Sequence, residues 1–156
     1  MRLSIFVLRK TISLQSITNR IKIMRISWFS GGVSSAVATK IALSSGSVKI
    51  IYIDILDQHP DTYRFISDCE RWYGQKIEVL KSDYASVDIA CRMASFLVSP
   101  WGAACTSRLK KNVRKKWELD NPGRHTYIWG MDLNEKGRVN RLIESNFLHN
   151  HEFPLV

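Results

Sequence analysis

The residues of this chain that are best placed to do chemistry form a short run of serine and glycine. The run reads Ser-Gly-Gly-Val-Ser-Ser, from Ser30 to Ser35. Paired glycines let the backbone approach a ligand closely, and consecutive N–H groups in such a turn form a concavity that binds anions. A helix predicted after the run adds unpaired N–H groups and the positive end of its dipole.

This loop is therefore predicted to hold a phosphate group, although a plain tight turn between strand and helix is the alternative. No lysine follows the glycines, which excludes the Walker A pattern, and no G-x-G-x-x-G supports a dinucleotide site. The residues predicted to contact the phosphate are Ser30, Gly31, Gly32, Val33, Ser34 and Ser35.

Two further groups of charged residues follow predicted strands. Asp54 closes the second strand, where ligands of open α/β sheets bind, but it could equally cap a helix. Glu135, Arg138 and Arg141 follow the fourth strand. Arginine forks suit phosphate and sulfate oxygens, and surface ion pairing with Glu135 is the alternative for Arg138.

A strongly basic helix is predicted at 106–119. Six lysines and arginines fall between Arg108 and Lys116 without an acid. A solvated helix face is the usual explanation of such a run. Nucleic acid is a second partner that this helix could meet, and binding would then depend steeply on salt.

Alternating apolar runs and polar helical segments position these residues. Strands are predicted at 25–29, 48–54, 76–80 and 126–129, and helices at 34–44, 60–73, 84–94, 106–119 and 135–146. A loop is predicted at 95–104. This alternation predicts an α/β fold, a three-layer α/β/α sandwich with a doubly wound, mostly parallel sheet. The nucleotide should cross the carboxyl ends of the strands.

The loop resembles the SGGxDS signature of the PP-loop ATP pyrophosphatases, the adenine nucleotide α-hydrolase superfamily. One branch matches further, because residues 53–80 are similar to the phosphoadenosine phosphosulfate reductase segment in which an acidic strand end precedes Pro-x-Thr-Tyr. Residues 103–117 resemble that branch's cysteine-arginine-lysine segment, and 126–141 resemble its strand-Gly-x-x-x-x-Glu loop. The similarity covers residues 24–156.

The resemblance implies a Rossmann-like fold that binds ATP or phosphoadenosine phosphosulfate, with Mg²⁺ compatible. It places adenine near the backbone of Ile53 and Asp54, and basic residues at the phosphate or sulfate end. We therefore expect Arg108, Lys110 and Arg138 to act in catalysis. The implied activity is sulfonucleotide reduction or cleavage of ATP between its α and β phosphates. Modification of a nucleic-acid base and a non-catalytic nucleotide-binding remnant are the alternatives.

Three departures from the family pattern bear on activity. Ser34 stands where the loop signature has aspartate, and Ala104-Cys105 replaces the paired cysteines of cluster-bearing relatives, so no iron–sulfur cluster is expected. The reductases' C-terminal cysteine motif has no counterpart before Val156. The expectation is that the family's C-terminal part is missing, so that a self-sufficient reductase is disfavoured and a homodimer or a separately encoded partner could complete the protein.

Composition limits the number of domains, the metal sites and the location that the sequence can support. With 156 residues, 45% hydrophobic and 24% charged, the chain suits one globular domain. Residues 1–23 carry five basic residues and no acid, and we expect a basic extension, disordered or not native, before a nucleotide-binding domain at 24–156. Three cysteines without C-x-x-C spacing predict no metal site and a cytoplasmic protein. No apolar run is long enough to predict a membrane partner.

Overall fold

A computed structural model describes residues 23–84, 86–99 and 102–156 of the chain. The expected basic extension lies outside these residues, apart from Ile23. The first half alternates strands and helices, as the sequence predicts. Its elements are β1 (Arg25–Phe29), α1 (Val33–Ser44), β2 (Lys49–Asp54), α2 (Asp61–Tyr73), β3 (Glu78–Lys81) and α3 (Val87–Ala94).

The second half is less regular. A two-residue antiparallel pair follows α3, and the basic helix then begins with a wide π-helical turn before it continues as α5. The elements are β4 (Val98–Ser99), β5 (Gly102–Ala103), α4 (Ala104–Thr106), the π turn (Ser107–Lys111), α5 (Asn112–Asp120), β6 (Thr126–Ile128), a 3₁₀ turn (Leu133–Glu135), α6 (Lys136–Ser145) and β7 (Asn150–Glu152).

Five strands form one parallel sheet in the order β3-β2-β1-β6-β7. The chain builds outward from β1 to β3 and then returns to the other side of β1. The carboxyl ends of β1 and β6 therefore flank the point where the winding direction reverses, which is where open α/β sheets bind ligands.

Both faces of the sheet are covered, because each strand alternates its side chains between two cores. Phe29 and Tyr52 belong to the core shared with α1 and α2. Ile26, Trp28 and Ile51 point to the other face and pack with Trp117 of α5. The prediction of a doubly wound three-layer sandwich is confirmed, and all four ladders of the main sheet are parallel.

The structure adds two features that the sequence analysis does not predict. One is the short β4–β5 pair inside the expected loop 95–104. The other is β7, which pairs with β6 beyond the last predicted helix. Within the described residues, no helix is long and apolar enough to cross a membrane.

Candidate functional site

A cavity of about 390 Å³ opens at the carboxyl ends of the central strands. Ser30 follows β1 at its rim, Ile53 comes from β2, and Gly130 and Met131 follow β6. Its volume lies in the range of about 300–1,000 Å³ that is typical of small-molecule sites. The cavity thus occupies the position that the winding of the sheet predicts.

The first wall of the cavity is the loop 30–35, which the sequence folds locally. Gly31 has a φ of +78°, a left-handed conformation that favours glycine. The Ser35 Oγ accepts hydrogen bonds from the Ser30 N–H at 3.2 Å and from the Ser30 hydroxyl at 2.9 Å. It also donates to the Gly32 carbonyl at 2.8 Å. The Ser35 hydroxyl therefore holds the turn together.

The start of α1 leaves donors available. Gly32 is the N-cap residue and provides no side-chain cap. The first intrahelical bond runs from the Ala36 N–H to the Gly32 carbonyl. The N–H groups of Val33, Ser34 and Ser35 therefore have no intrahelical acceptor. Val33 and Ser34 are exposed, so this helix start can receive an anion.

Gly130 allows the end of β6 to lie against the loop. A Cβ added at Gly130 would lie 2.3 Å from the Ser35 Cα and 2.5 Å from the Ser35 nitrogen. No side chain fits in that space, so the two backbones meet directly. This contact joins the first wall of the cavity to the end of β6, the strand that leads into α6 of the second wall.

The floor of the cavity is apolar and rigidly packed. Trp28 meets Trp117 and Tyr127 edge to face, with ring centroids 5.6 and 5.7 Å apart. Ile51, Ile53 and Trp129 also line the floor. An apolar surface of this kind suits the base or sugar of a ligand better than its charged end.

The second wall is basic and comes from the π turn, α5 and α6. Lys110, Lys111, Arg114 and Arg138 line the cavity beside a single acid, Glu135. Lys110 and Lys111 are exposed, and Arg138 is paired with Glu135. Four cations against one carboxylate make this end of the cavity suitable for an anion.

Arg114 differs from the other three cations because its side chain is only 15% exposed. Its Nε lies 3.3 Å from a Glu118 carboxylate oxygen, and one terminal nitrogen donates to the Asn146 side-chain oxygen at 2.9 Å. The guanidinium also lies over the Trp129 ring, 5.6 Å from its centroid. These contacts fix the orientation of the guanidinium.

Histidines hold β7 against β6 behind this wall. The Trp129 indole N–H donates to the His151 Nδ1 at 3.0 Å, and the His151 Nε2 contacts the Asn146 carbonyl at 3.0 Å. His149 stacks on Tyr127 with centroids 4.4 Å apart. Burial is the main cause that lowers the pKa of His149 below its ordinary value.

The structure brings part of the predicted site together. Ser30, Ser35, Ile53, Lys110 and Arg138 all line the cavity. The other loop residues form the turn and the helix start beside it, and these are Gly31, Gly32, Val33 and Ser34.

Two residues of the predicted set lie elsewhere. The Asp54 carboxylate accepts a hydrogen bond from the Tyr63 hydroxyl at 3.0 Å. Arg108 donates to the Tyr84 hydroxyl at 2.9 Å and to the Met93 carbonyl at 3.1 Å. Neither lines the cavity. The π turn directs Arg108 toward α3 while Lys110 and Lys111 reach the cavity.

Sequence reasoning overlooked several lining residues. Lys111 and Arg114 belong to the basic run, but spacing alone does not say which of its members turn inward. Trp28 and Trp129 lie in or next to strands, and their places at the switch point become clear only from the strand order. Among the described residues, no group of three or more His, Cys, Asp or Glu is arranged to hold a metal ion.

Comparisons with known proteins agree on the fold. The family model described as the phosphoadenosine phosphosulfate reductase domain matches residues 25–142, while no curated protein sequence matches the chain. One similar solved structure is described as a predicted subunit of tRNA methyltransferase from Methanocaldococcus jannaschii. It is 16% identical with a TM-score of 0.51, and the match covers 86% of this chain and 69% of that one. At this identity the likeness concerns the fold alone.

Proposed function

The chain belongs to the phosphoadenosine phosphosulfate reductase domain family, and we propose that it binds an adenine nucleotide, ATP or phosphoadenosine phosphosulfate. One observation carries the proposal: Ser30 and Ser35 of the loop and the four basic side chains of the second wall line one cavity, and the open helix start behind Gly32 lies beside it. A phosphate on the loop 30–35 would leave the apolar floor for the sugar and base, with adenine near Ile53.

The chemistry that these residues favour is cleavage of ATP between its α and β phosphates. An acceptor would attack the α-phosphorus and form a new bond to it, while the bond to the bridging oxygen breaks and pyrophosphate leaves with the electron pair. Lys110 and Arg138 would stabilise the charge that develops on the leaving group. Mg²⁺ would bind together with the nucleotide, through the phosphate oxygens that it prefers as ligands.

Sulfonucleotide reduction is the other activity within the family. It needs a thiolate that attacks the sulfur of the sulfonucleotide and forms a bond to it, while the bond from sulfur to the phosphate oxygen breaks and adenosine 3′,5′-bisphosphate leaves. The same loop and cations would hold the nucleotide in that reaction. Phosphoadenosine phosphosulfate is therefore a necessary second ligand in the binding test.

Titration calorimetry with ATP, phosphoadenosine phosphosulfate, adenosine 3′,5′-bisphosphate and adenosine tests the proposal. Gly31→Ala should weaken nucleotide binding about tenfold, because a side chain at φ +78° costs on the order of 1–2 kcal/mol and displaces the loop. Gly74→Ala is the matched control, because it creates the same backbone strain at φ +73° in the C-cap of α2, where the added Cβ meets nothing within 4 Å and the residue does not line the cavity. The absence of binding by every adenine nucleotide would overturn the proposal.

Modification of a nucleic-acid base is a second candidate, favoured by the exposed outer part of the basic helix. Lys115 and Lys116 are exposed next to the cavity wall. A nucleic acid that binds there would release counterions from its phosphate backbone. Pyrophosphate release from ATP that appears only when RNA or DNA is added would favour this candidate. Nucleotide binding without turnover under any of these conditions would indicate a non-catalytic protein.

A further inference from the structure

The four cations of the cavity wall differ in how firmly they are held. The Arg138 side chain is 62% exposed and pairs with Glu135, one helical turn away. Lys110 and Lys111 are exposed. Long exposed side chains lose conformational entropy when they bind a ligand. Arg114 has already lost most of that freedom, because Glu118, Asn146 and Trp129 contact it from three sides.

The contacts of Arg114 leave one part of the guanidinium available. Its Nε is buried beside Glu118, and one terminal nitrogen donates to Asn146. The Nη1 group has no hydrogen-bond partner among the described residues and is not among the buried unpaired atoms, while the residue itself lines the cavity. A fixed donor without a protein acceptor is what a bound anion requires.

Asn146 lies beyond the part of the chain that the family model matches, which ends at residue 142. Its side-chain oxygen accepts from Arg114, and its backbone carbonyl contacts the His151 ring. His151 in turn accepts from the indole of Trp129, the ring beneath the guanidinium. The segment 143–156 thus supports Arg114 from its side and from below.

We propose that Arg114 is the preorganised anion-binding side chain of the cavity, contacting a phosphate or sulfate oxygen of the ligand through Nη1, and that Asn146 is its positioning residue. This inference rests on the proposed function and deepens it. Lys110, Lys111 and Arg138 contribute positive charge, whereas Arg114 also offers a hydrogen-bond donor of fixed orientation. The segment beyond the family match therefore supports the ligand site through Asn146, without lining the cavity itself.

Calorimetric titrations of pyrophosphate, ATP and adenosine against three variants test this inference. Arg114→Lys keeps the charge but loses the planar fork, so ATP and pyrophosphate should bind about tenfold more weakly. Asn146→Ala keeps Arg114 but removes the oxygen that accepts its hydrogen bond. This variant should bind ATP and pyrophosphate about threefold more weakly. Adenosine binding should not change in either variant, whereas general loosening of the site would weaken adenosine as well.

Ser145→Ala is the matched control. It removes a hydroxyl that contacts the Asn146 amide at 2.8 Å, while Arg114 keeps its acceptor. All three ligands should bind this control like the wild type. Thermal unfolding verifies that each variant is folded, and Asn146→Ala alone decides the matter if Arg114→Lys does not fold.

The outcomes separate this inference from the proposed function. Unchanged ATP binding by Arg114→Lys and Asn146→Ala, with weakened binding by Gly31→Ala, overturns the role of Arg114 and leaves the function standing. Pyrophosphate binding that depends on Arg114 in a protein that binds no nucleotide supports the role of Arg114 and overturns the function. A wild type that binds neither ligand overturns both.

Discussion

The two walls of the cavity are built in different ways. The loop wall is held by contacts within a few residues, such as the Ser30–Ser35 hydroxyl pair with a sequence separation of 5. The basic wall depends on contacts across the chain, with separations of 32 for Arg114–Asn146 and 22 for Trp129–His151. The hydrogen bonds of the loop wall are therefore local, whereas those of the basic wall require the completed fold.

The largest effect is expected where the two walls meet. Gly130→Ala would place a Cβ 2.3 Å from the Ser35 Cα, so the end of β6 and the start of α1 must separate. We expect a loss of at least about 3 kcal/mol in the free energy of unfolding, measured by urea denaturation.

Gly137→Ala in α6 is the control for this change. Nothing lies within 4 Å of the added Cβ, and alanine favours a helix, so a gain of about 0.5 kcal/mol is expected. If Gly130→Ala were as stable as Gly137→Ala, the two walls would not share the contact described above.

A smaller effect is expected inside the loop wall. Ser35→Ala removes the acceptor of the Ser30 N–H and the donor to the Gly32 carbonyl. The expected cost is about 1–2 kcal/mol, independent of pH between 5 and 7 because residues 30–35 contain no titratable side chain. Ser34→Ala, at an exposed position, should change stability by less than about 0.5 kcal/mol. Equal losses in the two variants would contradict the account of the Ser35 hydroxyl.

The smallest of the three effects on stability is expected behind the basic wall. There the free energy of unfolding should depend on pH through His149. Burial, chiefly, holds the folded pKa of His149 below its ordinary value of 6.5. The unfolded chain therefore binds more protons, so stability falls as the pH drops through about 6.5 and levels off below the folded pKa. His149→Gln should flatten this part of the stability curve, and an unchanged curve would assign the pH dependence to other groups.

The sequence predicts the fold well because its signals are local and redundant. Continuous β-branched runs such as residues 48–54 identify buried strands, and Gly74 marks the end of α2. The sequence does not predict the strand β7, because Asn150–Glu152 contains no β-branched residue and no Phe, Tyr or Trp. It is a strand because β6 offers it a free edge and two histidines pack along it.

The two walls of the candidate site also differ in how well the sequence predicts them. The Ser-Gly-Gly-Val-Ser-Ser run can be recognised without a structure, since its six residues contain the whole turn. Arg114 could not be separated from its five basic neighbours, because Asn146 and Trp129 distinguish it and both lie far along the chain. The roles predicted for Arg108, Lys110 and Arg138 stay predictions until binding is measured.

The π turn at Ser107–Lys111 can absorb a change in chain length. A wide turn holds one residue more than the regular helical ladder requires. Deleting a single residue there would let the ladder close as a regular α-helix and would leave Arg114 facing Trp129 and Asn146. Deleting a second residue would leave no wide turn to absorb the loss, and it would rotate Arg114 by about 100° away from both. Among relatives, we therefore expect the chain through this turn to differ in length by one residue and no more.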